Sequence, residues 1–170
     1  MRTSIFVSVL VWAWILGVGT AFSAQEEGAA DLRSSLPAVR RHAAVRLGRM
    51  GDRSAVPALV EALGDPESSV RREVAKALGS IKDARAVPAL VKALADRDTN
   101  VRLYAAYALG EIKDPKAAEA LLRALRDPEW CVRDQAAWAL REIGDPKIVG
   151  PLAAALKNQS ADVAQVVWLL

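Results

Sequence analysis

The chain has 170 residues, 52% of them apolar and 25% charged, which is enough for one domain with a real core and excludes a disordered or collagen-like chain. A single cysteine, Cys131, excludes an internal disulfide framework and any multi-cysteine metal cluster. The net charge of +3 argues against obligate nucleic-acid binding, which usually rests on a clustered basic surface.

Residues 1–24 read as a targeting segment. Arg2 is the only charge before Glu26, Ile5 to Val18 is an apolar run of signal-peptide length, and Ala21-Phe22-Ser23 offers a small-x-small cleavage site. The other reading is an uncleaved anchor, because Ile5 to Ala24 is 20 residues without charge, just long enough to span a bilayer. Both readings send the rest of the chain out of the cytoplasm, as a periplasmic or secreted protein or one held at the membrane by its N-terminus. Residues 25–31 follow as a linker or frayed start.

From residue 32 to 170 a 31-residue period governs the sequence. Val39-Arg40, Val70-Arg71, Val101-Arg102 and Val132-Arg133 are one period apart, as are Leu63, Leu94, Leu125 and Leu156, and Asp52, Asp83, Asp114 and Asp145. From residue 25 the chain holds about 4.7 such units.

Each unit reads as two helices. Helix A runs roughly Ser54 to Leu63 and Arg85 to Leu94. Val87, Leu90, Val91 and Leu94 make one apolar stripe on it. Asp83 and its equivalents precede it as caps, and Pro57 and Pro88 fall in its first turn, where a missing N–H costs little. Helix B runs roughly Val70 to Ile81 and Val101 to Ile112, with Val101, Ala105, Ala108, Leu109 and Ile112 as its buried stripe. Ser69, Asn100, Cys131 and Asp162 stand at its expected N-cap. Aromatics are only 5% of the chain, so Ala, Leu and Val must build the core. Ala105, Ala106, Ala108, Gly48, Gly79 and Gly110 allow helices to approach closely. Asp65-Pro66 and Asp127-Pro128 mark the A-to-B turn; Gly51-Asp52 and Gly144-Asp145 mark the B-to-A turn.

These units resemble the HEAT-repeat family, in the short bacterial form also seen in phycobilin lyases. The residues that carry the resemblance are Asp83-Ala84-Arg85-Ala86-Val87-Pro88-Ala89-Leu90 and Val70-Arg71-Arg72-Glu73-Val74-Ala75-Lys76-Ala77-Leu78-Gly79. The resemblance implies an all-α, right-handed α–α superhelix, an armadillo-like solenoid in which helix B lines the concave surface. It is specific for fold and says little about function. In such arrays the Asp and Arg columns form an inter-repeat ladder; here those columns are Asp65 and Arg71, Asp96 and Arg102, and Asp127 and Arg133. Some hydroxylases of the family hold iron with repeated His-Glu pairs. The matching columns here read His42-Ala43, Glu73-Val74, Tyr104-Ala105 and Gln135-Ala136, so no such pair occurs.

Nothing else in the sequence spells out catalysis. His42 is the sole histidine and reads as a solvent-facing helix residue. Cys131 reads as a small, partly buried residue, and Glu111 and Glu142 as solvated acids. The glycines form no phosphate loop. The strongest functional signal is a helix-B stripe containing Tyr104 and Tyr107, adjacent at i, i+3, with Trp138 one period beyond Tyr107. Fully buried in a partner, three such rings would bury about 150–250 Å² each, a gross gain of roughly 11–19 kcal/mol.

These observations predict a non-enzymatic, exported scaffold without metal or cofactor. It would bind a protein or peptide through Tyr104, Tyr107, Trp138, Glu111 and Gln135, with no nucleic acid, and with membrane contact only through residues 5–24 if uncleaved. The alternative is a bilin lyase-like, chromophore-handling subunit. The apolar end Val166-Val167-Trp168-Leu169-Leu170 suggests either a shortened reading frame or packing of that end on a partner or on a second copy of the chain.

Overall fold

The structure, a computed structural model, describes residues 30–146. The expected targeting segment, most of the linker, the helix-B cap Asp162 and the apolar C-terminal end lie outside the described residues. Within them the chain forms α1 (Pro37–Met50), α2 (Val56–Ala62), α3 (Ser68–Ile81), α4 (Val87–Ala93), α5 (Thr99–Ile112), α6 (Ala118–Ala124) and α7 (Trp130–Ile143). Long helices alternate with short ones and no strand occurs among the described residues.

The short helices start differently from the expectation. Each begins with a 3-10 turn, Arg53–Ala55, Ala84–Ala86 or Pro115–Ala117, and turns α-helical only at Val56, Val87 and Ala118. The cause is the preceding aspartate. Asp52, Asp83 and Asp114 each accept a hydrogen bond from the N–H two residues on, at 2.8–2.9 Å, which tightens the first turn. The proline that follows the turn is dispensable for this, although the third copy carries Pro115 inside the turn instead. The third copy has Glu119 in the Pro57 and Pro88 column, and the same turn forms.

The long helices start two residues earlier than expected, and their N-caps are Glu67, Asp98 and Glu129. Ser69, Asn100 and Cys131 are therefore not caps; they sit at the second helical position. Asp98 accepts from the N–H groups of Asn100 and Val101, whereas Glu67 and Glu129 make no side-chain cap. All four long helices end in a left-handed residue. Gly51 and Gly144 fill that place without strain, while Lys82 and Lys113 adopt it with φ of 56° and 59°.

The core lies between the short and long helices. Leu47, Leu59, Leu78, Leu90, Leu109, Leu121 and Leu140 are fully buried, each contributing about 1.5–3 kcal/mol before entropy. The long helices stack on one another as α1, α3, α5, α7, and the glycine column makes this possible. A Cβ on Gly48 would lie 2.8 Å from both Cα and Cβ of Ala77; one on Gly79 would meet Ala108 at 3.0 and 3.1 Å; one on Gly110 would meet Ala139 at 2.9 and 3.0 Å. The short helices touch one another far less. Open grooves lie between them, one lined by Val91, Leu94, Ala120 and Arg123 and its counterpart by Leu32, Ala58 and Glu61. Tight packing on one side and grooves on the other leave the outer side chains of the long helices as one face of the row.

Among the described residues, the first and last long helices break the glycine–alanine pattern. The alanine column reads Arg46, Ala77, Ala108, Ala139, and the glycine column reads Gly48, Gly79, Gly110, Arg141. Arg46 is exposed and pairs with Asp31 at 2.8 Å.

Candidate functional site

Two ladders of ion pairs tie the repeats together. In the first, an arginine near the start of each long helix reaches the aspartate 25 residues on. Arg40 binds Asp65 through two N–H···O bonds at 2.5 and 2.9 Å, Arg71 binds Asp96 at 2.7 and 2.8 Å, and Arg102 binds Asp127 at 2.7 and 3.0 Å. The remaining nitrogen of each fork donates to backbone carbonyls of the preceding turn: Arg71 Nη1 to Asp65 at 2.8 Å and Pro66 at 3.1 Å. The spacing of six in the sequence is thus a side-chain-to-backbone relation, and the carboxylate belongs to the next repeat. Arg40 is the first rung, which the Asp–Arg spacing alone did not include because Ser34 stands in its aspartate column. Arg133 keeps its two backbone bonds, at 2.9 Å each, to Asp127 and Pro128.

The rungs are nearly dry. Arg71 and Asp96 side chains are 7% and 13% exposed. Burial pushes the carboxyls of Asp65, Asp96 and Asp127 up. The guanidinium facing each one, together with the backbone N–H of Glu67, Asp98 or Glu129, outweighs this and holds all three below the usual carboxylate range. Bidentate, charge-assisted bonds explain why arginine and not lysine occupies the column. Asp83, gripped by the side chain and then the N–H of Arg85, is pulled down to about 2.

The second ladder runs along the other end of the long helices. Lys82 binds Glu111 at 2.6 Å and Lys113 binds Glu142 at 2.7 Å. Hydrogen bonding to Glu111 raises the Lys82 ammonium, and bonding from Lys113 lowers the Glu142 carboxyl. The expectation that Glu111 and Glu142 are merely solvated is corrected by this geometry. Each is half-buried and neutralised by the left-handed lysine of the preceding repeat.

The aromatic stripe is assembled between these ladders. Tyr107 and Trp138 stack with ring centroids 5.5 Å apart and planes 14° from parallel. Trp138 also leans over Gly110, where an added Cβ would lie 2.5 Å from its Cζ3. Lys76 Nζ sits 5.2 Å from the centroid of the Tyr104 ring and also binds Glu73 at 3.2 Å. Tyr104, Tyr107, Trp138 and Gln135 are all half-buried. The rings are therefore spent in part on one another, and full burial of each against a partner overstates the gain. With about a third or less of each side chain still open, the gross gain from a partner falls to roughly 4–6 kcal/mol.

The remaining candidates are plain. His42 is exposed, Cys131 is half-buried and unbonded to another cysteine, and no group of three or more His, Cys, Asp or Glu side chains forms a metal cage among the described residues. Trp130, at the first position of α7, is 70% exposed.

A row of antiparallel helix pairs, joined at each junction among the described residues by the same glycine–alanine contact and arginine rung and exposing one continuous face of long helices, defines an α-solenoid repeat protein. The HEAT-repeat profile matches residues 29–101 and 87–170, and the chain belongs to the HEAT-repeat family. Among solved structures it is similar to the complex of CpcE and CpcF of phycocyanin lyase from Nostoc sp. PCC7120, at 29% identity over 84% of this chain and 61% of that one, with a TM-score of 0.69. It is also similar to human deoxyhypusine hydroxylase in complex with glycerol, at 30% identity over 74% of this chain and 46% of that one, with a TM-score of 0.63. An engineered protein shares 25% identity over 84% of this chain and 75% of its own, with a TM-score of 0.60. The chain thus spans less than two thirds of the lyase and hydroxylase chains. No curated protein matches it.

Proposed function

We propose that the chain is a non-enzymatic interaction scaffold, acting outside the cytoplasm, that holds a protein or peptide on its long-helix face. The observation that carries this reading is the stacked Tyr107–Trp138 pair beside Tyr104, with Glu111 and Gln135 at its edges. These rings lie on the long helices, Tyr107 and Trp138 stacked on each other and Tyr104 under Lys76, and each is only half-buried. Pre-ordered aromatics lose little entropy on binding, which favours them as anchors. Arg2 and the apolar run Ile5 to Val18 support export.

The test is recovery of partners from the extracytoplasmic fraction by the intact protein and by a Tyr104→Ala, Tyr107→Ala, Trp138→Ala variant. Loss of recovery with the variant supports the reading; equal recovery removes the anchors. Fusion of residues 1–31 to a reporter that is active only after export tests localisation, and cytoplasmic retention would refute it.

A chromophore-handling role is the second reading. It draws on the similarity to the phycocyanin lyase subunits and on the flat Tyr107–Trp138 stack, which suits a planar tetrapyrrole. Titration with a bilin separates the two readings: a shifted absorbance band lost in Trp138→Ala would favour the chromophore.

A further inference from the structure

The long-helix face is not uniform along its length, and its polarity names a partner. At the α1 end Arg41 and Arg49 are exposed, and no carboxylate among the described residues pairs with either. By contrast the charges beyond them are already matched: Glu73 is held by Arg72 and Lys76, and Glu111 and Glu142 by the lysines of the second ladder. Following the columns of Arg41 and Arg49 along the row gives Arg72, Leu103, Asp134 in one and Ser80, Glu111, Glu142 in the other. Among the described residues, unpaired positive charge on this face therefore belongs to α1 and half-buried aromatic surface to α5 and α7, and the exposed Asp134 on α7 repels a negative group at that end.

We infer that this face takes an extended peptide segment of another protein that is acidic at one end and apolar or aromatic at the other. The acidic end lies over Arg41 and Arg49, and the apolar side chain lies on the Tyr107–Trp138 pair. Adjacent helices in close contact are about 8–10 Å apart, so the two subsites are roughly 20 Å apart, the reach of about six extended residues. This rests on the scaffold reading above and adds the chemistry of the partner, its direction and its length. A nucleic acid fits poorly, because its evenly spaced phosphates would have to pass Asp134 and the aromatic stack.

Fluorescence anisotropy with the full chain tests it. The probes are labelled twelve-residue peptides with two glutamates six residues from a tryptophan, the same peptide with lysines for the glutamates, and the same with serine for the tryptophan. The expected result is binding of the first alone, weakened by added salt. Arg41→Glu with Arg49→Glu and, separately, Trp138→Ala should each weaken it about tenfold. Both arginines are exposed, and circular dichroism confirms that the variants fold. Equal binding of the lysine peptide, indifference to the arginine reversals, stronger binding of a single-stranded oligonucleotide, or no binding of any peptide overturns the inference. If the peptides fail while the triple aromatic variant still loses its partners, the partner chemistry is wrong and the scaffold reading stands. If that variant keeps its partners, the scaffold reading itself falls.

Discussion

Gly48→Ala sets two known effects against each other at one atom. Alanine in a helix interior is favoured over glycine by about 1 kcal/mol, so on an isolated helix the change would stabilise. Here the new methyl would lie 2.8 Å from both Cα and Cβ of Ala77, where ordinary carbon contacts begin at 3.4 Å. The obstacle is backbone, so no side chain can swing aside. Helices α1 and α3 must separate by about half an ångström or more, loosening their whole contact, and overpacking of this kind costs roughly 1–3 kcal/mol. The expected net effect is a loss of up to about 2 kcal/mol, read as a lower urea midpoint for the far-ultraviolet dichroism of the full chain. Ala77→Gly added to Gly48→Ala should restore only part of the loss, because Cα of residue 77 stays in the way. A midpoint raised by Gly48→Ala alone would refute the claim that close approach, not chance, keeps glycine in this column.

Three further outcomes follow from the ladders and caps. Asp96→Ala should cost about 3 kcal/mol, because it strands the Arg71 guanidinium in a nearly dry site, and Arg71→Met added to it should recover part of that; no recovery would show that the stranded charge is not the cause. Stability should be flat from about pH 7 to 5 and fall progressively below about pH 4. Asp65, Asp83, Asp96 and Asp127 ionise more readily folded than unfolded, so their contribution is complete above the unfolded carboxyl pKa and is lost as pH drops through the lowered folded values. A midpoint that does not move between pH 5 and 2.5 would contradict this. Lys113→Gly should raise the midpoint, since relief of left-handed backbone strain is about 1 kcal/mol and an ion pair to Glu142 whose lysine is 55% exposed contributes little; a lower midpoint would mean that the second ladder is stronger than the exposure of its lysine suggests.

The repeat was legible because many columns of different chemistry share one period: leucines, aspartates, the Val-Arg step and the glycine–alanine pair. What the sequence obscured was local or relational. The 3-10 start of the short helices depends on where an aspartate oxygen points. The position of the long-helix caps was misread because Ser69 and Asn100 are good capping residues that happen to sit two residues past the actual caps, Glu67 and Asp98. The resemblance implied an inter-repeat ladder, but the spacing of six did not say which carboxylate each arginine reaches; it is the one 25 residues on, in the next repeat. The aromatic stripe could be placed on one face by spacing alone, but its stacking, and hence how little open ring remains, needed the geometry. Lys82 and Lys113 gave no signal, since a lysine in a left-handed cap is explained only by the glutamate that it reaches on the neighbouring helix.

The sameness of the junctions makes the length of this molecule a stepwise quantity. Excising residues 52–82 would join Gly51 to Asp83 and bring Gly48 against Ala108 and Arg40 against Asp96, each a pairing of residue types already present at an intact junction. Removing one residue more or fewer would turn the following long helix by about 100° and set Tyr107 or Leu109 where Ala108 must go. Gain or loss of whole copies is therefore the natural route by which the distance between the arginine end and the aromatic end is retuned, about one helix diameter at a time.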